Sequence, residues 1–168
     1  MVLPNPSGLE GSLLLIEDSV LLQVGSFRQS ELQATEAGGI LLGYRRGPHL
    51  HVMIATAPGP GDKRSRYHFS RDDRSHALIA RTEWERSGET MDYIGEWHTH
   101  PESNPKPSSL DFCEWLMICK RRTDPMVFLI QGIRGIWVGV GVGRLMQGQV
   151  ARERLDPQAF AAPVDSGG

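Results

Sequence analysis

Apolar positions along this chain repeat with two periods, one suited to strands and one to helices. Leu13-Leu14-Leu15-Ile16 reads as a short buried strand, and beyond it Asp18 or Ser19 can cap a helix whose Val20, Leu21, Val24 and Phe27 share one stripe. Glu36 opens a strand through Ile40, Leu41 and Leu42, where Gly38 and Gly39 remove side chains at a point of close approach by backbone or ligand. Gly47-Pro48 turns the chain, and Leu50, Val52 and Ile54 alternate with polar or small neighbours, so 40–45 and 50–54 are expected to pair as a hairpin. Residues 58–64 (PGPGDKR) are turn-forming, and Arg64-Ser65-Arg66-Tyr67-His68-Phe69 reads as a loop running into an edge strand. Ser70-x-x-Asp73 has capping-box spacing and predicts a helix to about residue 86, with His76, Ala77, Ile79, Ala80 and Trp84 on its inner stripe. A strand over 93–100 stops at Pro101, and a helix over 109–122 follows the loop PESNPKP. Two apolar runs, 126–131 and 135–142, predict a hairpin buried on both faces, with one more short strand near 149–153. The whole is a mixed α/β (α+β) pattern: a curved mixed β-sheet flanked by about three helices, over 12–155, between a flexible leader (1–11) and a flexible tail (156–168).

Polar residues interrupt the apolar pattern most sharply at Glu96-Trp97-His98-Thr99-His100-Pro101. On a strand, side chains two apart share a face, so His98 and His100 converge on one point, with Glu96 on the same side. Ser108-x-x-Asp111, just ahead of Phe112, Trp115 and Leu116, marks a helix start, and a carboxylate in that first turn can swing back to the imidazoles. Two neutral histidines and an aspartate leave the fourth tetrahedral position of Zn²⁺ open, as in catalytic and not structural sites. One zinc per chain is therefore expected. The cap and the ligand are compatible roles, because a helix N-terminus also keeps a carboxylate ionised. His49-Leu50-His51 has the same spacing without the serine-acid pair, so these two are read as ordinary strand residues, and His68 and His76 as surface or core-edge histidines.

Together, His98-x-His100-Pro101, ten further residues, then Asp111 with Ser108 three before it, resemble the signature of the JAMM (MPN-plus) metalloisopeptidases, which remove ubiquitin-like proteins from conjugates. That family places a glutamate upstream on a strand beside the site, and Glu36-Ala37-Gly38-Gly39-Ile40-Leu41-Leu42-Gly43 is similar to that element. The resemblance covers about residues 12–142. It implies a cytidine-deaminase-like JAMM/MPN fold, although the Cys-rich zinc motif of the deaminases themselves is absent. It also implies zinc on His98, His100 and Asp111, Glu36 as the catalytic proton shuttle, and Ser108 as a donor to the oxyanion of the scissile carbonyl. Glu96 departs from the family, which commonly has an aromatic or aliphatic residue there, so Glu96 is a rival base or a partner that fixes an imidazole tautomer.

The short single-domain form and the wording Gly-Glu-Trp-His-Thr-His-Pro are most similar to prokaryotic JAB-type members encoded in bacterial anti-phage CBASS operons, or in related ubiquitin-like conjugation operons. That likeness implies hydrolysis of the bond after the C-terminal glycine of a ubiquitin-like or conjugated protein. Ubiquitin-activating or conjugating-like enzymes and a nucleotidyltransferase of the same operon are its implied partners. Two other readings stay open: a JAMM peptidase that processes a small sulfur-carrier adduct, and a zinc-free MPN scaffold. The loop over 58–69 is expected to bind the substrate tail by adding a strand beside it, with Arg64 and Arg66 engaging the partner.

With 168 residues, 39% hydrophobic and 23% charged, the chain suits one domain with a real core. A net charge of -2 gives no electrostatic reason to expect nucleic acid, and Lys120, Arg121 and Arg122 read as helix-end cations set against the dipole. Cys113 and Cys119, six apart on one predicted helix, form neither a CxxC pair nor a disulfide, which suits a reducing, cytoplasmic setting. No apolar run approaches bilayer length, so no membrane association is expected. Ser166-Gly167-Gly168 is read as plain tail.

Overall fold

A computed structural model describes residues 1–5 and 11–151. The expected tail, the remainder of the leader and residues 152–153 of the last expected strand lie outside the described residues. In chain order the elements are β1 (Val2–Pro4), β2 (Leu13–Ile16), α1 (Asp18–Gly25), β3 (Gly38–Arg46), β4 (His49–Ala55), β5 (Lys63–Ser65) and β6 (His68–Ser70). They continue with α2 (Ser75–Arg86), β7 (Asp92–Thr99), α3 (Ser109–Lys120), β8 (Met126–Gln131), β9 (Ile136–Val142) and β10 (Leu145–Ala151). Eight strands form one mixed sheet in the order β1-β2-β4-β3-β7-β8-β9-β10, and β5 and β6 form a separate hairpin. Within the large sheet β2 runs parallel to β4 and β7 parallel to β8, while the other neighbours are antiparallel.

The β7-α3-β8 unit decides where the chemistry sits. Parallel neighbours need a crossover, and a helix that returns across the sheet begins at the carboxyl end of the strand it leaves. The first turn of α3 therefore lies beside the last residues of β7. Two apolar layers hold this arrangement. On one face α1 contributes Val20 and Val24 to a core with Leu14, Ile16, Leu41, Trp97 and Leu129. On the other, Trp115 of α3 stacks on Phe128 (4.6 Å between centroids) and Trp137 (5.5 Å), with Cys119 buried beside them. All six residues of β8 are buried, as a strand covered on both faces requires. Among the described residues no helix is long and apolar enough to cross a membrane.

Several local expectations are corrected. Val2–Pro4, assigned to the leader, pairs with Leu13 to Leu15 as an edge strand, and the Ile16 amide extends the ladder to the Met1 carbonyl (2.8 Å). The N-cap of α1 is Glu17, not Asp18 or Ser19, and it makes no side-chain capping bond. That helix ends before Phe27, whose ring packs instead near Trp97 (5.7 Å). The last strand begins at Leu145, not near residue 149, because Gly143 turns with φ 58° and the whole of 145–151 pairs with β9. The Ser70-x-x-Asp73 pair is not a capping box: α2 begins at Ser75, Ser70 donates to Asp72, and Asp73 accepts from the amides of Gly61 and Ser75 (2.7 Å each). Ala77 is exposed and Trp84 is 40% exposed, so neither belongs to an inner stripe.

His76 is the larger correction, for it lies fully buried and is neither a surface nor a core-edge residue. The Asp62 carboxylate can only accept, so Nε2 of His76 carries the ring proton and donates to it (2.9 Å). Nδ1 then accepts the hydroxyl hydrogen of Thr56 (2.6 Å), whose oxygen accepts the Ile40 amide (3.0 Å). Asp62 also accepts the amides of Gly59 and Asp73 (2.8 Å each), so one buried chain of hydrogen bonds ties the whole 57–74 segment to β3. His76→Ala takes one of three donors from the Asp62 carboxylate and the acceptor of the Thr56 hydroxyl hydrogen in the interior. A loss of about 2 kcal/mol in denaturant unfolding is expected, the scale for buried polar groups that lose a hydrogen-bond partner. A change within error would show that this chain does not hold the segment.

Candidate metal centre

His98 is central in the sheet, opposite Gly38 on β3 and Ile130 on β8. A Cβ on Gly38 would come within 2.5 Å of the Phe69 ring and 2.7 Å of the Trp97 carbonyl, so only glycine lets β6 close over β3 beside the histidine. His100 continues the ladder by one residue, donating its amide to the Gln131 carbonyl (2.9 Å), which keeps both imidazoles on one side. From α3, Ser108 accepts the Asp111 amide (3.1 Å) and Asp111 accepts the Ser108 amide (2.6 Å), the reciprocal box expected from their spacing. The box fixes Asp111 in the first turn, facing the histidines.

The Nε2 atoms of His98 and His100 are 3.1 Å apart. One oxygen of Asp111 lies 3.4 Å from the first and the other 3.5 Å from the second. A tetrahedral ion with ligand bonds of about 2.05 Å has ligand-to-ligand edges of about 3.3 Å. The three side chains thus fit the group that the sequence suggests in donor type, and the histidine pair fits it in spacing, while each Asp111 edge runs to a different carboxylate oxygen. Glu36 joins the two histidines in a cluster whose candidate donor atoms all lie within 4.8 Å, yet it makes no ion pair with either ring among the described residues. It is buried, at 7% exposure.

The two carboxylates beside these rings differ in their electrostatics. Burial pushes Glu36 up to about 7, with Asp111 and Glu114 adding to the rise against the pull of His98. Burial also pushes at Asp111, but its bond to and charge attraction with His98, and its bonds to Ser108, hold it at about 2. For His98, burial is outweighed by Asp111, Glu36 and Glu96, and its pKa rises; burial and the charge of His98 lower that of His100. Burial thus raises Glu36, while the bonds to His98 and Ser108 hold Asp111 low.

Glu96 shares the histidine face, yet its carboxylate accepts from Arg71 (2.7 Å) and from the Tyr93 hydroxyl (2.9 Å), with no hydrogen bond to an imidazole among the described residues. Arg64 and Arg66, expected to engage a partner, are tied to backbone carbonyls of their own chain, with Arg64 still exposed. Arg64 donates to the Glu36 carbonyl (2.7 Å), and Arg66 donates to the carbonyls of Glu31 (3.2 Å) and Leu32. The segment over 63–70 forms the hairpin β5–β6, not a loop leading to one edge strand.

Residues outside the motif complete the placing of Glu36. Its amide donates to the Ser65 carbonyl (2.7 Å), while Thr99 exchanges bonds with Ala37 through its amide (2.8 Å) and hydroxyl (3.0 Å). Thr99 in turn donates to buried Gln29 (3.0 Å), which also donates to the Arg66 carbonyl (2.8 Å). Neither Gln29 nor Thr99 was legible as functional, since a glutamine in a polar connection and a threonine on a strand are both commonplace. His49 and His51 lie on β4, with His51 bonded to Glu17 (2.6 Å), and take no part in the centre. The centre opens into a groove of about 720 Å³ between α3 on one side and β6 with the following residues on the other.

Comparison with known proteins gives the family and the fold. The family described as prokaryotic homologs of the JAB domain matches residues 21–145. Three relatives carry the name CD-NTase/cGAS isopeptidase. That from Escherichia coli is 38% identical over 75% of this chain and 80% of its own. The Pseudomonas aeruginosa protein is 43% identical over 67% and 75%, and the Vibrio cholerae protein 38% over 76% and 81%. A solution structure of a Desulfitobacterium hafniense protein, 22% identical, superposes with a TM-score of 0.57 over 81% of this chain and 89% of that one, which speaks for the fold alone. With the mixed sheet, the three helices and a match over most of its length, this chain belongs to the prokaryotic homologs of the JAB domain.

Proposed function

We propose that this chain is a zinc-dependent JAMM isopeptidase of the cytoplasm that hydrolyses the bond after the C-terminal glycine of a ubiquitin-like or conjugated protein in bacterial anti-phage defence. The observation that carries it is the convergence of His98, His100 and Asp111, with donor atoms 3.1 to 3.5 Å apart and buried Glu36 beside them. The name that the relatives share supports a CD-NTase as one half of the conjugate, and the two free thiols, Cys113 and Cys119, suit a reducing compartment.

His98, His100 and Asp111 would hold one Zn²⁺ per chain. When bound, zinc supplies Lewis acidity, which lowers the pKa of water from ~15.7 towards ~7. Glu36 takes the proton of the attacking water and delivers it to the leaving amine. The Ser108 hydroxyl oxygen already accepts the Asp111 amide, so its one hydrogen is free to be donated to the oxyanion on the scissile carbonyl. Tail residues before the scissile bond lie in the groove beside β6, and a terminal glycine suits its buried end.

The test uses a CD-NTase joined through its C-terminal glycine to a lysine side chain, with zinc counted per purified chain. Release of the intact CD-NTase, abolished by chelation and restored by about one equivalent of zinc, is expected. If zinc-loaded protein leaves this isopeptide untouched, the substrate assignment fails.

A further inference from the structure

The groove does not stop at the metal centre. Leu110, Asp111, Glu114, Met117, Ile118 and Arg121 all line it, so it follows α3 for its whole length. At its far end it adjoins a second cavity of about 350 Å³, and the two share Arg71, Glu96, Ile118 and Arg121. Charge is distributed unevenly along this path. Glu36, Glu102, Asp111 and Glu114 lie towards the metal end, whereas Arg71, Arg121 and Arg122 line the far cavity, with Glu96 as the one carboxylate there.

The three arginines are not equivalent. Arg71 is bound to Glu96 (2.7 Å), and Arg122 lies over the Tyr93 ring (5.0 Å) and 4.0 Å from Asp92. Arg121 makes no side-chain ion pair, hydrogen bond or ring contact among the described residues, although it lines both cavities. Favourable placement at a helix C-terminus explains a cation at this position, but not why it lines both cavities of a channel that reaches the metal centre.

We propose that this far end is a subsite for an acidic side chain of the substrate tail, with Arg121 as the specificity-determining residue and Arg71 beside it. The spacing follows from α3 itself. From Asp111 to Arg121 the helix rises about 15 Å, a distance spanned by about four to five residues of extended chain. The tail is therefore small and neutral next to the scissile bond, where acidic side chains would meet Glu102 and Glu114, and acidic about four to five residues upstream. A main chain, unlike a single lysine side chain on the amine side, is long enough to occupy the channel. This proposal rests on the isopeptidase reading of the metal end.

The experiment uses fluorescent peptides ending in a glycine amide, otherwise neutral, with one glutamate moved through the eight preceding positions and a glutamine control at each. Binding is read by anisotropy on the zinc-loaded full chain. The same tails, joined to a lysine side chain, give kcat and KM. Glutamate at the fourth or fifth position is expected to lower Kd and KM about fivefold relative to glutamine, the upper range for an exposed ion pair, with kcat unchanged. The preference should vanish in Arg121→Ala and pass to lysine-bearing tails in Arg121→Glu, with melting temperatures near wild type because Arg121 is exposed. A profile flat with position, or a glutamate preference surviving in Arg121→Glu, overturns the subsite. Tails that bind in the expected pattern but are never cut overturn the isopeptidase reading and leave the subsite standing. Tails that are cut with a flat profile do the reverse.

Discussion

Replacing Glu36 with glutamine is expected to lower kcat by about 10²-fold or more, the usual scale for losing a general acid-base residue, while zinc stays near one per chain. The reason is positional. Glu36 belongs to the same cluster as His98 and His100 to within 4.8 Å, but it is Asp111 that lies at 3.4 and 3.5 Å from their Nε2 atoms, so the metal keeps its three donors in the variant. Glutamine preserves size and the buried contacts but cannot carry a proton. The melting temperature should stay close to wild type, or rise slightly, since burial disfavours the charged carboxylate that is removed. Glu96→Ala is the control. Its carboxylate holds Arg71 and the Tyr93 hydroxyl, so a modest fall in activity with zinc retained is expected. If Glu36→Gln remains active while Glu96→Ala is dead with its zinc in place, the proton shuttle is Glu96.

Asp111→Ala should lose metal and helix start together. Removing one of three donors lowers zinc affinity steeply, and activity with it. The same side chain accepts the Ser108 amide at 2.6 Å, so unfolding measured with both proteins stripped of metal should still show a loss of about 1 kcal/mol, the scale of a helix cap. Ser108→Ala separates the two roles. It removes the other half of the box and the proposed oxyanion donor but no metal donor, so zinc should remain while kcat falls by about 10²-fold. An Asp111→Ala protein that binds zinc as tightly as wild type would remove Asp111 from the donor set and point to Glu36 in its place.

The histidine pair and the box were legible because each depends on local spacing. Side chains two apart on a strand must share a face, and a serine three residues ahead of an acid can close on itself within one turn. Ser70-x-x-Asp73 shows the limit of such local rules, since it has the spacing and makes no box: Asp73 spends its carboxylate on Gly61, a residue brought to it only by the folded 57–74 segment. The burial of His76 has the same origin, as Thr56 and Asp62, its two partners, lie 20 and 14 residues away in the chain. Likewise the bonds of Arg64 and Arg66 to the backbone of 31–36 join residues some thirty positions apart, which their expected contact with a partner did not include.

By itself, then, the amino-acid sequence determined the elements that bear the chemistry, the donor types and which of them share a strand face, because strand and helix periodicity are properties of a few consecutive residues. Only the tertiary structure decided that Glu36 stands near the rings without pairing to them, while Asp111 reaches both. That distinction depends on how β3 registers against β7, on the Thr99 and Ser65 bonds that hold residues 36–37, and on the crossover that brings the start of α3 to the end of β7. Each of these is a contact between residues far apart in the chain, set by packing and hydrogen-bond satisfaction over the whole sheet, and no local pattern encodes it.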